Sequence, residues 1–305
     1  MKSAGSFLVV VDRGPGAADA LRKAVHLARI CGAGLELFMS DAERAFALSH
    51  AYVPTGVEKA RQACVEDAHR YLQQLKDSVG VGTVPVELDA VCDSPLYESI
   101  VHKAIRSQAR LVIKCAAGTE QRPFSPDLND WQLMRTCPAT LMLTRGRPWP
   151  QRLRMAAAVD ASEEDPAFMR DVVSAALSLG GVADGFDLLY AKSPGVGTPQ
   201  HRSAEQALHD LMREMQLESS RLHVLDGQPE SKLAEFARPR DYDVLFLGAL
   251  THRKDLTSQV GTLTASLVDA LACDFILVKP HEYRSPVADS PMRGRVSVGS
   301  SARQS

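Results

Sequence analysis

The sequence predicts an α/β protein built from two tandem domains, each with a doubly wound parallel sheet. A first apolar run, FLVVVD, ends at Asp12, and a similar run, RMAAAVD, ends at Asp160. Strand and helix patterns alternate after each run, and each series closes with a short helix, a cysteine and a last apolar strand. A repeat of about half the chain indicates two copies of one domain, so a function must be sought in each copy.

The first half begins with a buried strand at Phe7–Asp12, followed by a helix whose apolar residues are spaced three and four apart between 21 and 28. Glycines after that helix end it. The following elements are predicted in order: a strand over 35–40, a long helix around 60–75, a strand over 84–92, a helix over 97–109, a strand over 111–116, a short closing helix before Cys137 and the last strand ATLMLT.

The second half repeats this order. Its first strand covers 155–160, and apolar residues between 168 and 179 form one helix face. The predicted elements that follow are a strand over 186–191, a long helix around 204–215, a strand over 221–225, a shorter helix over 231–237, a strand over 244–247, a closing helix around 263–271 and the last strand FILVKP.

Composition changes mark the domain boundaries. We expect a first domain over 1–145, a second over 152–282, and between them a short, stiff linker, 146–151, that contains two prolines. After Pro280 the apolar periodicity ends and Ser, Arg, Gly and Pro dominate, so 283–305 is expected to be a disordered tail.

The overall composition argues against several classes of protein. A formal net charge of −2 and the absence of a Lys/Arg run give no electrostatic case for nucleic acid. No apolar stretch is long enough for a membrane span or a signal peptide, so we expect a cytoplasmic protein without a membrane partner. The six cysteines lie far apart and are expected to be small buried hydrophobes. The histidine and cysteine spacings indicate no metal site.

A glycine-containing loop in the second half is the sharpest local signal. Gly248 ends a predicted strand, and Gly261-Thr262 open the closing helix. A helix N-terminus offers free backbone N–H groups and the positive end of the helix dipole, which suit a phosphate. The alternative is that Gly248 permits a tight turn and Thr262 lies in the first turn of an ordinary helix.

The spacing of these residues resembles the G-x2-G-x9-G-[ST] frame of ATP-binding universal stress proteins. The flanks AAAVDASEED and LVDALACDFILVKP are similar to that family as well, and the likeness covers residues 5–282. The resemblance implies Rossmann-like universal stress protein domains. It also implies nucleotide contacts by Asp160, Gly248, Gly261 and Thr262. Thr251 stands where the family has its second glycine, so its side chain would hinder a close approach of the backbone to phosphate.

The first half departs further from the nucleotide-binding frame. When Cys115 is aligned with Gly248, the loop before the closing helix is three residues shorter, and no Gly-Ser/Thr pair precedes that helix. The segment instead resembles the D-W-x-L-x-R-x-C-P signature in the first domain of E-type tandem universal stress proteins. We expect Trp131 to pack under the loop, with Asp130 able to pair with an arginine, and contact with a ligand is the alternative. The residues that match are Asp130, Trp131, Leu133, Arg135, Cys137 and Pro138.

Two further patterns resemble binding motifs but have simpler explanations. Gly14-Pro15-Gly16 imitates a dinucleotide fingerprint, but Asp19 occupies the third glycine position and Pro15 removes an N–H, which disfavours a nicotinamide cofactor. The acidic residues at 163–165 are typical of a helix start, and coordination of Mg²⁺ beside a nucleotide is the alternative.

The resemblance implies a non-catalytic stress-response protein with a ligand-binding or regulatory role, and ATP or AMP with Mg²⁺ are the candidate ligands of the second domain. The resemblance implies roles in resistance to DNA damage or oxidants. The alternatives are a slow ATPase that uses the second domain and an interaction scaffold that binds no nucleotide. The apolar last strands predict an intramolecular pseudo-dimer of the two halves, because each strand edge would shield the other, and a homodimer of the chain is a further expectation.

Overall fold

The computed structural model describes residues 6–50, 56–116, 126–161, 166–179, 183–192, 198–218, 221–249 and 260–290. Chain contacts divide the protein into two compact units, which we describe separately. Unit 1 contains 1–115, 128–139 and 284–305, and unit 2 contains 116–127 and 140–283. The sequence boundary at residue 145 stays a prediction.

Unit 1 holds a four-stranded parallel sheet in the order β3-β2-β1-β4. Its helix faces bury the spaced apolar residues that the sequence indicated, such as Leu21 and Ala24, both with no exposed surface. The elements are β1 (Phe7–Val10), α1 (Ala17–Cys31), β2 (Leu35–Ser40), α2 (Ala42–Ser49), α3 (Val57–Val79), β3 (Val86–Val91), α4 (Leu96–Arg106), β4 (Leu111–Cys115) and α5 (Leu128–Thr136).

Helix α2 was not predicted from the sequence. Its N-cap is Asp41, whose side chain accepts a hydrogen bond from the backbone N–H of Arg44 at 3.1 Å. Only Ala45 of this helix is fully buried, and its eight residues are too few to show the apolar periodicity by which longer helices are recognised.

Unit 2 holds six strands in the order β5-β10-β9-β6-β7-β8. All pairs are parallel except β5 with β10, which are antiparallel and place Leu143 opposite Phe275. The sheet of this unit is thus parallel apart from one pair, in agreement with the predicted doubly wound fold. The elements are β5 (Thr140–Thr144), β6 (Leu153–Ala158), α6 (Pro166–Ser178), β7 (Ala183–Lys192), α7 (Thr198–Glu214), β8 (Leu222–Asp226), α8 (Pro229–Ala237), β9 (Val244–Gly248), α9 (Thr262–Ala270) and β10 (Asp274–Val278).

The segment between β5 and β6 is fixed to unit 2 by polar contacts. Asp274 accepts hydrogen bonds from the backbone N–H of Arg145 at 2.9 Å and from Nε1 of Trp149 at 2.7 Å. The Arg145 guanidinium donates to the carbonyls of Val268, at 3.3 Å, and Leu271 at the end of α9. A cation at a helix C-terminus is favourable because the last carbonyls lack helical partners.

Residues 284–290 belong to unit 1 and lie against α4. The carbonyl of Val287 accepts a hydrogen bond from His102 Nε2 at 3.0 Å, and Ser290 Oγ lies 3.1 Å from the same nitrogen. Polar contacts therefore involve residues 285–290, and the expected disorder of 283–305 stays a prediction. The rest of the expected tail lies outside the described residues.

None of the helices within the described ranges is long and apolar enough to cross a membrane.

Candidate functional site

The predicted site residues of the second half meet at the carboxyl edge of the unit 2 sheet. Asp160 follows β6 and Gly248 ends β9, and these strands are parallel neighbours. Thr264 Oγ1 donates a hydrogen bond to the Gly248 carbonyl at 2.7 Å, which fastens the first turn of α9 to the end of β9. Gly261 and Thr262 therefore lie beside this strand end. Thr251 lies outside the described residues.

The start of α9 has the properties expected of an anion-binding site. Gly261 is the N-cap residue, with φ −57° and ψ 141°, and no side-chain hydrogen bond caps the helix there. Thr262 is the first helical residue, and its side chain is exposed. The first N–H groups of a helix have no helical acceptor, so they are available to a ligand.

The close approach at Gly248 is used by a side chain of the same unit. A Cβ built on Gly248 would lie 2.6 Å from Cε1 and 2.9 Å from Cζ of Phe168, on α6. These distances are shorter than carbon–carbon contact allows. The family resemblance gives Gly248 a phosphate contact, whereas the structure shows that the missing side chain makes room for an aromatic ring.

A carboxylate that the sequence analysis missed lies beside the α9 N-terminus. Glu230, the second residue of α8, has its Oε1 3.5 Å from the Thr262 hydroxyl oxygen, which donates. An acid early in a helix is usually read as a favourable partner of the helix dipole, so position alone gave no sign that Glu230 reaches a second helix.

Asp160 is exposed and lies close enough to Tyr190 on β7 to affect its ionisation. Burial raises the pKa of the Tyr190 phenol, and the negative charge of Asp160 raises it further. Asp160 therefore adds negative charge at the same edge as Glu230. The acidic residues at 163–165, considered above for Mg²⁺, lie outside the described residues. Within the described ranges, no group of three or more His, Cys, Asp or Glu side chains is arranged to hold a metal ion.

Comparison with known proteins supports the resemblance over most of the chain. No protein-family model matches it. Universal stress protein E of Escherichia coli K12 is 24% identical over 309 residues, which cover 92% of this chain and 96% of that protein. Universal stress protein E of Salmonella typhi is 23% identical over 308 residues, with the same coverage.

Solved structures show the same similarity in three dimensions. A candidate universal stress protein of Pseudomonas aeruginosa matches with a TM-score of 0.71 and 20% identity, over 90% of this chain and 93% of that one. A universal stress protein of Archaeoglobus fulgidus matches with a TM-score of 0.67 and 10% identity, over 92% of this chain and 99% of that one. The chain has the universal stress protein fold. The resemblance to the E-type tandem proteins is thereby confirmed.

The E-type signature segment lies on α5, in unit 1. Asp130 and Lys114 form a buried ion pair, with 2.7 Å between Oδ1 and Nζ and with 0% and 3% of the residues exposed. Lys114 also donates to the Cys115 carbonyl at 3.2 Å. The structure gives Asp130 a lysine partner from β4, a pairing across 16 residues that no local pattern indicates, and the expected pairing with an arginine stays a prediction. Trp131 is half-buried.

Some polar groups near the carboxyl edge of the unit 1 sheet have partners within the unit. Asp12 accepts a hydrogen bond from the Gly14 N–H at 2.8 Å, so that N–H is occupied within the loop that imitates a dinucleotide fingerprint. The thiols of Cys64 and Cys92 are buried and hydrogen-bond each other. Burial and this hydrogen bond raise the pKa of the Cys64 thiol to about 12, which makes it a poor nucleophile at neutral pH.

A cavity of about 230 Å³ lies elsewhere in unit 2, lined in part by Tyr242, Leu245 and Cys273. Leu245 and Cys273 stand near the amino ends of β9 and β10, whereas the predicted site residues follow the carboxyl ends. None of those predicted residues lines this cavity, so the cavity is separate from the candidate site at the carboxyl edge of the sheet.

Proposed function

We propose that this chain is a stress-response protein that binds an adenine nucleotide, or a related small molecule, at the carboxyl edge of unit 2. The observation that carries the proposal is the start of α9, where Gly261 and Thr262 present a helix N-terminus without a side-chain cap beside the end of β9. Backbone N–H groups in this arrangement suit the phosphate or hydroxyl oxygens of a ligand.

We further propose that the ligand is bound and not turned over. The sequence contains none of the nucleophile or P-loop patterns by which hydrolases and phosphotransferases are recognised. A binding role in the resistance of cells to stress agrees with the names of the E-type relatives. The pairing of the two halves and a homodimer of the chain stay predictions.

The site is tested with a pair of matched glycine variants. Gly261→Val adds a side chain at the α9 N-cap, where the backbone angles tolerate valine. Gly16→Val makes the same change at the N-cap of α1 in unit 1, which also lacks a side-chain cap hydrogen bond. Calorimetric titration with AMP, ATP and adenosine should show weakened binding in Gly261→Val and unchanged binding in Gly16→Val.

The opposite pattern would place the ligand in unit 1 and contradict the proposal. Mass spectrometry of the purified protein under non-denaturing conditions should detect an adenine compound retained from the cell. Appearance of ADP when the protein is incubated with ATP, at a rate that Gly261→Val reduces, would show turnover and would overturn the binding-only part of the proposal.

A further inference from the structure

We propose that the cavity beside the end of α9 in unit 2 binds a small neutral molecule with an apolar body, about the size of one aromatic ring with a short substituent. This site lies near the amino ends of β9 and β10 and is separate from the nucleotide site proposed above, at the carboxyl edge of the same sheet. Each of the two proposals can therefore fail without the other.

The volume of the cavity determines the size of its ligand. Protein interiors are closely packed, and voids much larger than a water molecule are few. The cavity measures about 230 Å³. An apolar cavity of about 150 Å³ is enough to bind benzene. A single aromatic ring with a few further atoms attached therefore matches the available space.

The inner wall of the cavity is buried and largely apolar. Ala237, Leu245 and Leu271 contribute aliphatic side chains, and none of the three is more than 6% exposed. Tyr242 and Cys273, which are also buried, complete this wall. A ligand that covers these groups removes apolar surface from water, so the binding energy is expected to come from apolar contact.

The two ionisable side chains of the wall are neutral at physiological pH. Burial raises the pKa of the Cys273 thiol to about 12, so the thiol stays protonated. Burial and a hydrogen bond to Asp187 raise the pKa of the Tyr242 phenol, whose hydroxyl donates to Asp187 Oδ2 at 2.6 Å. The wall thus offers no opposite charge to an ion, and a charged ligand would lose its hydration without compensation.

Charged side chains of both signs surround the mouth of the cavity. Those that line it or interact with its lining residues include Arg145, Arg147, Arg238, Asp241, Asp269 and Asp274. Farther in, Arg154 and Arg240 lie near Tyr242, and Asp243 lies near Cys273. Positive and negative groups are therefore mixed, and the mouth offers no concentrated charge that would select an anion or a cation.

The ligand class is tested with three probes of similar size: toluene, benzoate and benzylamine. We expect toluene to shift the amide NMR signals of Leu245, Leu271 and Cys273. It should also raise the melting temperature, because a ligand that binds only the folded state stabilises it. Benzoate and benzylamine should bind at least about tenfold more weakly, because the buried wall does not compensate for their lost hydration.

The position of the site is tested with a matched pair of alanine variants. Ala272 is exposed at the mouth of the cavity, and Ala272→Phe should lower toluene affinity about tenfold or more by occupying part of the space. Ala167, on α6, is also exposed but does not line the cavity, so Ala167→Phe should leave toluene affinity unchanged. Ala237→Leu narrows the cavity from its inner wall and should act like Ala272→Phe. Circular dichroism checks that each variant is folded.

Three results would overturn the inference. Toluene titration that leaves the signals of Leu245, Leu271 and Cys273 unchanged would show that the cavity does not bind an apolar molecule. Equal affinities for the three probes would contradict the neutral ligand class. Equal loss of toluene affinity in Ala167→Phe and in the folded cavity variants would place the toluene elsewhere.

Calorimetric titration of the same protein with AMP separates this inference from the proposed function. Binding of AMP without binding of toluene would refute only the inference. Binding of toluene at the cavity, without binding of AMP, ATP or adenosine, would support the inference and refute only the proposed function.

Discussion

Breaking the buried ion pair of unit 1 should be far more costly than breaking an exposed pair of the same length. Lys114 and Asp130 are 3% and 0% exposed and their charged atoms are 2.7 Å apart. Asp130→Asn removes the negative charge of this pair and leaves the Lys114 ammonium buried. Loss of one member of a buried pair costs about 3–5 kcal/mol, because the remaining charge is not solvated by water.

The protein contains a natural control for this prediction. Lys232 and Glu235 are also 2.7 Å apart, but their side chains are 43% and 59% exposed. Water solvates both partners of such a pair, so Glu235→Gln should lower the free energy of unfolding by no more than about 1 kcal/mol. The two pairs have the same distance between charged atoms and differ strongly in burial.

Urea unfolding followed by circular dichroism measures both free energies, and amide hydrogen exchange of β4 assigns the loss to unit 1. The double variant Lys114→Met/Asp130→Leu replaces the pair with apolar side chains and should regain most of the stability. A cost for Asp130→Asn as small as that for Glu235→Gln would refute the reasoning. A double variant as unstable as Asp130→Asn would show that other contacts of these side chains dominate.

Three further predictions concern packing and ionisation. Gly248→Ala should lower the free energy of unfolding by about 1–3 kcal/mol, because the added methyl group overpacks against Phe168. Phe168→Leu should relieve part of that cost. Urea unfolding measures both, and an equal cost of Gly248→Ala in the two backgrounds would contradict the contact. The raised pKa of the Cys64 thiol contributes stability that is fully present below pH 9 and is lost as the pH rises towards 12. Cys64→Ala should therefore flatten the decline of the urea midpoint over this pH range. The same decline of the midpoint with pH in both proteins would argue against this contribution. Arg145→Met should lower the free energy of unfolding by about 1–3 kcal/mol, because the carbonyls at the end of α9 lose a half-buried donor. Arg147→Met removes a member of an exposed ion pair and should cost less than about 1 kcal/mol. Thermal unfolding measures both costs.

The fold was largely predictable from the sequence because periodicity is a local property. Apolar residues spaced for a helix face or a buried strand located every strand and all helices but α2, and the half-chain repeat gave the two copies. The two apolar last strands were expected to shield each other, and β5 does pair with β10, but the antiparallel direction of this pair was not predictable from periodicity. Strand pairing depends on which edges meet in space, and the run TLMLT carries no mark of its direction.

The candidate site was predictable only in its outline. Asp160, Gly248, Gly261 and Thr262 could be found because they follow strand ends or begin a helix. Glu230 and Phe168 escaped notice because they reach the site from α8 and α6, 32 residues from Thr262 in the case of Glu230. Contacts of this kind arise from the packing of helices and leave no pattern in the sequence around either residue.

The position of β5 has a consequence for how this chain can be divided. By sequence β5 closes the first repeat, yet it belongs to unit 2, where it pairs with β10. A cut in the linker 146–151 would strip β5 from unit 2 and expose the apolar edge of β10, which invites aggregation. A cut before Thr140 would keep all six strands together. The segment that was duplicated and the segment that folds as a unit thus differ by one strand, so gene fragments designed on the repeat alone would not match the units of folding.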